Sequence, residues 1–160
     1  MARLTPTDYK PHLSFRFQVI FSEMQNIKFY AHSTTLPVVD NNPITLEYGN
    51  TQMVVKGKTK WNQIVMSLYA YENMTYDEVW KYFNDKHQDI EKGEDHYAND
   101  YKKDITIQLL RPNNGVVAVW KLVNAFVANF NPGQLNWASD EPLQPEITFA
   151  YDYAKYIVQA

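Results

Sequence analysis

The stretch Asp104-Ile105-Thr106-Ile107-Gln108-Leu109-Leu110-Arg111, followed by Pro112-Asn113-Asn114-Gly115 and then by Val116 to Phe126, reads as a strand, a turn and a returning strand. Ile105, Ile107 and Leu109 alternate with Thr106 and Gln108, the period of a pleated strand with one apolar face. The Asn114-Gly115 dipeptide accepts positive φ at both central positions of a tight hairpin turn. Antiparallel pairing is therefore the organising principle of the chain.

The same period recurs on both sides of this hairpin. Downstream, Pro132-Gly133 marks a break, and Glu146 to Tyr153 forms a last strand with Ile147, Phe149, Tyr151 and Tyr153 on one face. Upstream, Phe15, Phe17, Val19 and Phe21 share a strand face, opposite Arg16, Gln18 and Ile20. A second strand is predicted over Ile27 to His32. Pro37 and Pro43 bracket a stretch that cannot be a central strand, because proline lacks the ladder donor. Ile44 to Gly57 reads as a second hairpin: Ile44, Leu46 and Tyr48 alternate, Gly49-Asn50 turns, and Met53 to Lys56 return. Trp61 to Tyr71 is a further strand with bulk on both faces, Ile64, Met66 and Leu68 against Trp61, Val65, Tyr69 and Tyr71. Such a strand needs cover on both sides, from its own domain or from a neighbour.

One helix interrupts the β pattern. Thr75-x-x-Glu78 has the form of a capping box, with Met74 and Val79 as the accompanying staple. Tyr76, Val79, Trp80, Phe83 and Ile90 follow at helical spacing, so a helix over residues 75–91 is predicted to lay Trp80 and Phe83 on a sheet. An acidic stretch from Asp89 to Asp100 reads as a surface loop. The fold class is mainly β, an antiparallel sandwich or barrel-like domain with one helix, filling residues 1–160 as a single domain.

Composition excludes several classes of function. The 160 residues include no cysteine, which removes disulfide scaffolds, thiol nucleophiles and cysteine-ligated zinc. The formal net charge of −3 provides no excess of cations with which to grip nucleic acid phosphates. The first residues, Met1 to Asp8, lack a signal-peptide core, and no apolar run approaches the roughly 18 residues of a spanning helix. The expectation is a soluble chain that does not insert in a membrane.

Chemistry is sparse. His12, His32, His87 and His96 have no metal-ligand spacing. Asp89, Glu91, Glu94, Asp95 and Asp100 fail the calcium-loop register, because Gly93 falls where an oxygen ligand is needed. No nucleophile elbow or phosphate-cradling glycine loop exists among five glycines. No catalytic residue, metal or cofactor is assigned.

The order of these elements, with Ser33-Thr34-Thr35-Leu36-Pro37 before the hairpin and a strand begun by Trp61, resembles the tail tube proteins of contractile-tailed bacteriophages, a superfamily that includes type VI secretion tubes. The C-terminal third carries the likeness best: Asn124-Ala125-Phe126, Leu135-Asn136-Trp137-Ala138-Ser139-Asp140, and Ile147-Thr148-Phe149-Ala150-Tyr151-Asp152-Tyr153. Val127 departs from a proline common in that family, and Pro142 and Pro145 interrupt the approach to the last strand.

The resemblance implies a structural virion protein rather than an enzyme. Its homohexameric rings share one inner β-barrel and stack into a conduit for genome ejection inside a contractile sheath. The implied partners are further copies of the chain, the tail sheath protein, and the baseplate tube-initiating and tail terminator proteins. The resemblance further implies that DNA passes transiently without specific binding, and that assembly in the host cytoplasm is expected to precede incorporation in the phage tail. Residues 1–12 are expected to form an N-terminal arm. Residues 37–60 are expected to form an extended hairpin contacting neighbours, with Pro37, Val38, Pro43, Ile44, Leu46, Tyr48, Met53, Lys56, Lys58 and Lys60 at that interface. The spacing of the three lysines places them on one strand face. They either meet a neighbour, with the acidic Asp89 to Asp100 loop as one counterpart, or simply deter wrong edge pairing. Two other functions fit the residues: a tube of a type VI secretion or bacteriocin-like contractile particle, and, from a different class, a carbohydrate-binding β-sandwich.

Overall fold

A computed structural model describes residues 13–158, so the arm expected over residues 1–12 lies outside the described residues. In chain order the elements are β1 (Phe17–Phe21), a helical turn α1 (Ile27–Tyr30), β2 (Ala31–Thr34), β3 (Val39–Asp40), β4 (Ile44–Tyr48), β5 (Thr51–Val55), β6 (Lys60–Trp61) and β7 (Ile64–Leu68). Then come α2 (Thr75–Tyr82), a π-helical turn (Phe83–His87), β8 (Gln88–Asp89), β9 (Glu94–Asp95), α3 (Ala98–Tyr101), β10 (Lys103–Leu110), β11 (Val116–Asn131), β12 (Glu146–Ala150) and β13 (Tyr153–Val158). The predicted mainly β, antiparallel class is the one observed.

The β10–β11 hairpin is the spine, and β11 extends well past Phe126. Its turn differs from the two-residue form expected from Asn114-Gly115. The Asn114 amide bonds the Arg111 carbonyl at 2.9 Å, so Pro112 and Asn113 occupy the turn centre and only Asn114 takes positive φ, at 63°. Proline at the first central position presets that φ, which favours this turn over the alternative.

The 16-residue β11 serves two half-sheets. Its first part pairs with β10 on one edge and β13 on the other, and β1 completes this half beside β10. Its second part pairs with β12, which continues through β7 to β2. The changeover is a β-bulge: Ile105 faces Leu122 but Lys103 faces Ala125, and Asn124 sits between them at φ 55°. Asparagine tolerates this left-handed conformation because its side chain bonds locally. Here its amide group donates to Asp152 Oδ2 at 2.9 Å, and its backbone N–H donates to Asp104 Oδ1 at 3.1 Å.

The neighbouring strand breaks at the same level. The single strand expected from Glu146 to Tyr153 is interrupted at Tyr151–Asp152, and its continuation, β13, runs on to Val158. The interruption shifts the face parity. Ile147 and Phe149 are fully buried, whereas Tyr153 points outward and Ala154 takes the core side. Val19, Phe21, Ile105, Ile107 and Leu122 from one half meet Ile64, Met66, Leu68, Ile147 and Phe149 from the other in one cluster. Phe21 stacks edge-on against Phe149 at 5.8 Å across it.

Three other expectations change. Phe15 lies before β1 and is exposed, so the first strand begins at Phe17. Ile27 to Tyr30 coils into a helical turn that buries Ile27 and Tyr30, and only Ala31 to Thr34 pairs with β7. The expected Trp61–Tyr71 strand is split: Lys60–Trp61 joins β3, and Ile64–Leu68 joins the main sheet.

The helix is also shorter and rotated. It is α-helical to Tyr82, π-helical to His87, and buries Thr75, Val79 and Tyr82, while Trp80 is half exposed. Trp80 still meets Phe130 of β11 edge-on at 6.2 Å. Thr75 and Glu78 do not cap the helix. The Thr75 hydroxyl donates to the Tyr69 carbonyl at 2.6 Å, and the Glu78 carboxylate is bonded by Asn26 and Tyr30. Among the described residues, no helix is long and apolar enough to cross a membrane.

Candidate assembly surface

Residues 37–60 leave the body as an arm. Its root is the β3–β6 ladder, with Val39 facing Trp61 and Asp40 facing Lys60. The Asn62 amide bonds the Val38 carbonyl at 3.0 Å, and the Trp61 ring lies 6.1 Å from that of Tyr151 at the strand break. The Tyr151 hydroxyl is buried there without a well-aligned hydrogen-bond partner among the described residues. Burial pushes its pKa up, and the nearby Val38 backbone opposes this.

Above the root, Gly57 crosses the chain at close quarters. Its N–H bonds the Asn41 carbonyl at 2.9 Å, and a Cβ there would stand 2.2 Å from the Asn42 carbonyl oxygen. The tip is the β4–β5 hairpin. Gly49 takes φ 60° at the first turn centre, as the Gly-first hairpin turn requires. Ile44 faces Val55, Leu46 faces Met53 and Tyr48 faces Thr51. These six share one side of the ribbon, with Thr45, Glu47, Gln52 and Val54 on the other.

Every residue of β4 and β5 is exposed. A two-stranded ribbon is marginal in water by itself. This one presents an apolar face, Ile44, Leu46, Tyr48, Met53 and Val55, that no other element among the described residues covers. Among the expected contact residues Pro37 is half-buried at the root, and Val38, Pro43, Lys56, Lys58 and Lys60 are exposed. The lysines do not share a regular strand face as expected. Lys56 and Lys58 lie in the connection between β5 and β6, and only Lys60 is in a ladder.

Two sheet edges form the second part of the surface. Within the β1–β10–β11–β13 half, β1 pairs only with β10, and β13 pairs only with β11, among the described residues. Each leaves a row of backbone donors and acceptors pointing away from the sheet. The face of this half turned from the core carries Gln18, Ile20, Thr106, Gln108, Val119, Lys121, Lys155 and Ile157. Lys121 is paired with Asp104 at 3.3 Å.

Sequence reasoning missed the loop after β11 as a surface feature. Leu135 and Trp137 stand 90% and 107% exposed, a large apolar area for a water-facing loop. Nothing in the alternation signals this, because the loop has no period. Among the described residues, no group of three or more His, Asp or Glu side chains is arranged to hold a metal ion.

Known proteins share the fold of this chain. Structurally, the chain is similar to a chain of the PVC sheath-tube complex, an extracellular contractile injection system in its extended state. The TM-score is 0.75 at 18% identity, over 98% of this chain and 100% of that one. It is similar to a chain of the anti-feeding prophage tube-terminating cap, with a TM-score of 0.74 at 18% identity over 94% and 93%. It is similar more distantly to a type six secretion system protein, with a TM-score of 0.54 at 12% identity over 89% and 82%. At these identities the likeness is one of fold. Among curated proteins, none matches in sequence. The model of the family described as T4-like virus tail tube protein gp19 matches residues 13–155, nearly all of the chain. The chain belongs to the T4-like virus tail tube protein gp19 family.

Proposed function

We propose that the chain is the repeating subunit of the inner tube of a contractile tail. Six copies close a ring by pairing the β1 edge of one with the β13 edge of the next. The observation that carries this is the pair of open edges on a single half-sheet, of five and six residues. Closing a sheet through its edges removes both. The ring closes by rotation, and a head-to-tail contact between rings extends it into a tube. The arm, with its uncovered apolar ribbon, supplies contacts to neighbouring copies through Pro37, Val38, Pro43, Ile44, Leu46, Tyr48 and Met53.

In such a ring the outward face of the β1–β10–β11–β13 half lines the passage. Its centre carries amides and a hydroxyl, Gln18, Gln108 and Thr106, and its Lys121 is neutralised by Asp104. Among the described residues, Lys155 is the other cation that the strand register places on that face. A wall with so few cations offers DNA weak contact, which suits rapid transit. The role is structural, without catalysis. The sheath, the baseplate initiator and the terminator are its expected partners, in keeping with the similar chains found in an anti-feeding prophage baseplate and a PVC sheath/tube terminator. The same fold likenesses support a second reading, the tube of a type VI secretion device or another contractile injection particle.

Negative-stain microscopy of the purified, concentrated chain tests the proposal. Rings or striated tubes are expected. A chain that stays monomeric at high concentration, and also when offered its baseplate, contradicts it.

A further inference from the structure

We infer that the lysine run at the base of the arm docks on the β8–β9 turn of another copy, a contact that rests on the tube reading above. Lys56, Lys58 and Lys60 are exposed, and among the described residues none makes a side-chain hydrogen bond or an ion pair. They give residues 56–60 a formal charge of +3. Residues 89–95 carry Asp89, Glu91, Glu94 and Asp95 against Lys92, four negative charges and one positive, hence −3. Among the described residues, only Asp89 of these carboxylates has an ion pair, a 3.8 Å contact with Lys92 inside the turn.

Both segments are held on firm backbone. The lysine run is pinned by the Gly57 N–H on the Asn41 carbonyl and by the Thr59 hydroxyl on Asn41 Oδ1 at 2.9 Å. The acidic turn is closed by the Gly93 N–H on the Asp89 carbonyl at 2.8 Å and by the His96 N–H on the His87 carbonyl at 3.1 Å. His87, at its base, stacks on Tyr101 at 5.0 Å. Preorganised charges lose less freedom on docking than long flexible ones.

The occupant is a second copy because the two charges are equal and opposite and no ion pair joins them within one chain. A contact between two different patches is heterologous, the kind that propagates along an axis. The apolar β4–β5 ribbon lies directly beyond Lys56, so docking the lysines brings an apolar surface against the same neighbour. Buried apolar area supplies affinity, and the charges set partner and register.

Charge reversal tests the contact. K56E/K58E/K60E in the full chain is expected to lower tube yield at least tenfold, and E91K/E94K/D95K to do the same. Mixing the two variant chains, or combining both sets in one chain, restores assembly. Unchanged melting temperatures verify that each variant is folded. Normal tube yield from either reversed variant, or no recovery on mixing or combining, overturns the inference while leaving the tube reading intact. Failure of the unaltered chain to assemble overturns both.

Discussion

The Glu78 carboxylate accepts the Tyr30 phenol at 2.6 Å, joining residues 48 positions apart. The same carboxylate accepts the Asn26 side-chain amide at 2.7 Å, so the first turn of α2 is tied to both ends of the α1 turn. Burial, followed by the Glu78 hydrogen bond, drives the Tyr30 pKa strongly upward. Replacing Glu78 by alanine leaves a buried phenol without an acceptor, a loss of about 1–3 kcal/mol. Urea unfolding of Glu78→Ala is expected to show that drop, and an unchanged midpoint contradicts the role of this tie.

The bend at Asn124 makes a backbone prediction. A β-branched residue at φ 55° is strained, so Asn124→Val is expected to cost about 1–3 kcal/mol. Asn124→Gly retains the conformation and loses mainly the bond to Asp152, so it is expected to cost less. Equal melting temperatures for the two variants would remove the bend as a cause of the fold.

Gly57 predicts a local effect. Gly57→Ala drives a methyl group into the Asn42 carbonyl and distorts the arm root. Because β4 and β5 contribute nothing to the core, global unfolding is expected to shift by less than about 0.5 kcal/mol. Limited proteolysis between residues 41 and 60 is expected to accelerate, and tube yield to fall.

His87 predicts acid sensitivity. Burial lowers its pKa, Asp95 and the Val127 backbone oppose that shift, and His96 adds to it. The Tyr82, Phe83, Tyr101 and Phe126 rings enclose the imidazole. A lowered folded pKa means that the stabilisation is present above the ordinary imidazole value, about 6.5, and is lost as pH falls through the folded value. The melting temperature is expected to drop between about pH 7 and about pH 5. His87→Phe is expected to flatten that dependence.

Tyr82 predicts the opposite limb. Burial pushes its pKa up to about 12, and its hydroxyl donates to the Tyr101 carbonyl at 2.8 Å. Its contribution is complete below the ordinary phenol pKa of about 10 and disappears as pH rises through about 12. Alkaline titration of Tyr82→Phe, followed by near-ultraviolet absorbance, is expected to show later unfolding than the unaltered chain.

Much of this architecture is legible in the residues. Ile64, Met66 and Leu68, Ile105 and Ile107, and Ile147 and Phe149 fall where period two puts them, because each half-sheet has one buried face. The failures share a physical cause: a local signal was consumed by a tertiary partner. Thr75 and Glu78 have capping-box spacing, yet the Tyr69 carbonyl and the Tyr30 phenol take their polar atoms. Tyr151-Asp152-Tyr153 reads as unbroken alternation, yet the bulge opposite reverses the face after it. The arm ribbon was legible as a hairpin. That nothing among the described residues covers it is not legible, since pattern alone does not say which chain buries an apolar face. Trp137 had no period to betray it.

A density map of the assembled protein that resolves individual strands tests the shared barrel. One continuous barrel is expected, in which β1 of each copy is hydrogen-bonded to β13 of the next. Copies whose β1 and β13 edges are each covered by their own chain, with no strand pairing between them, would contradict it.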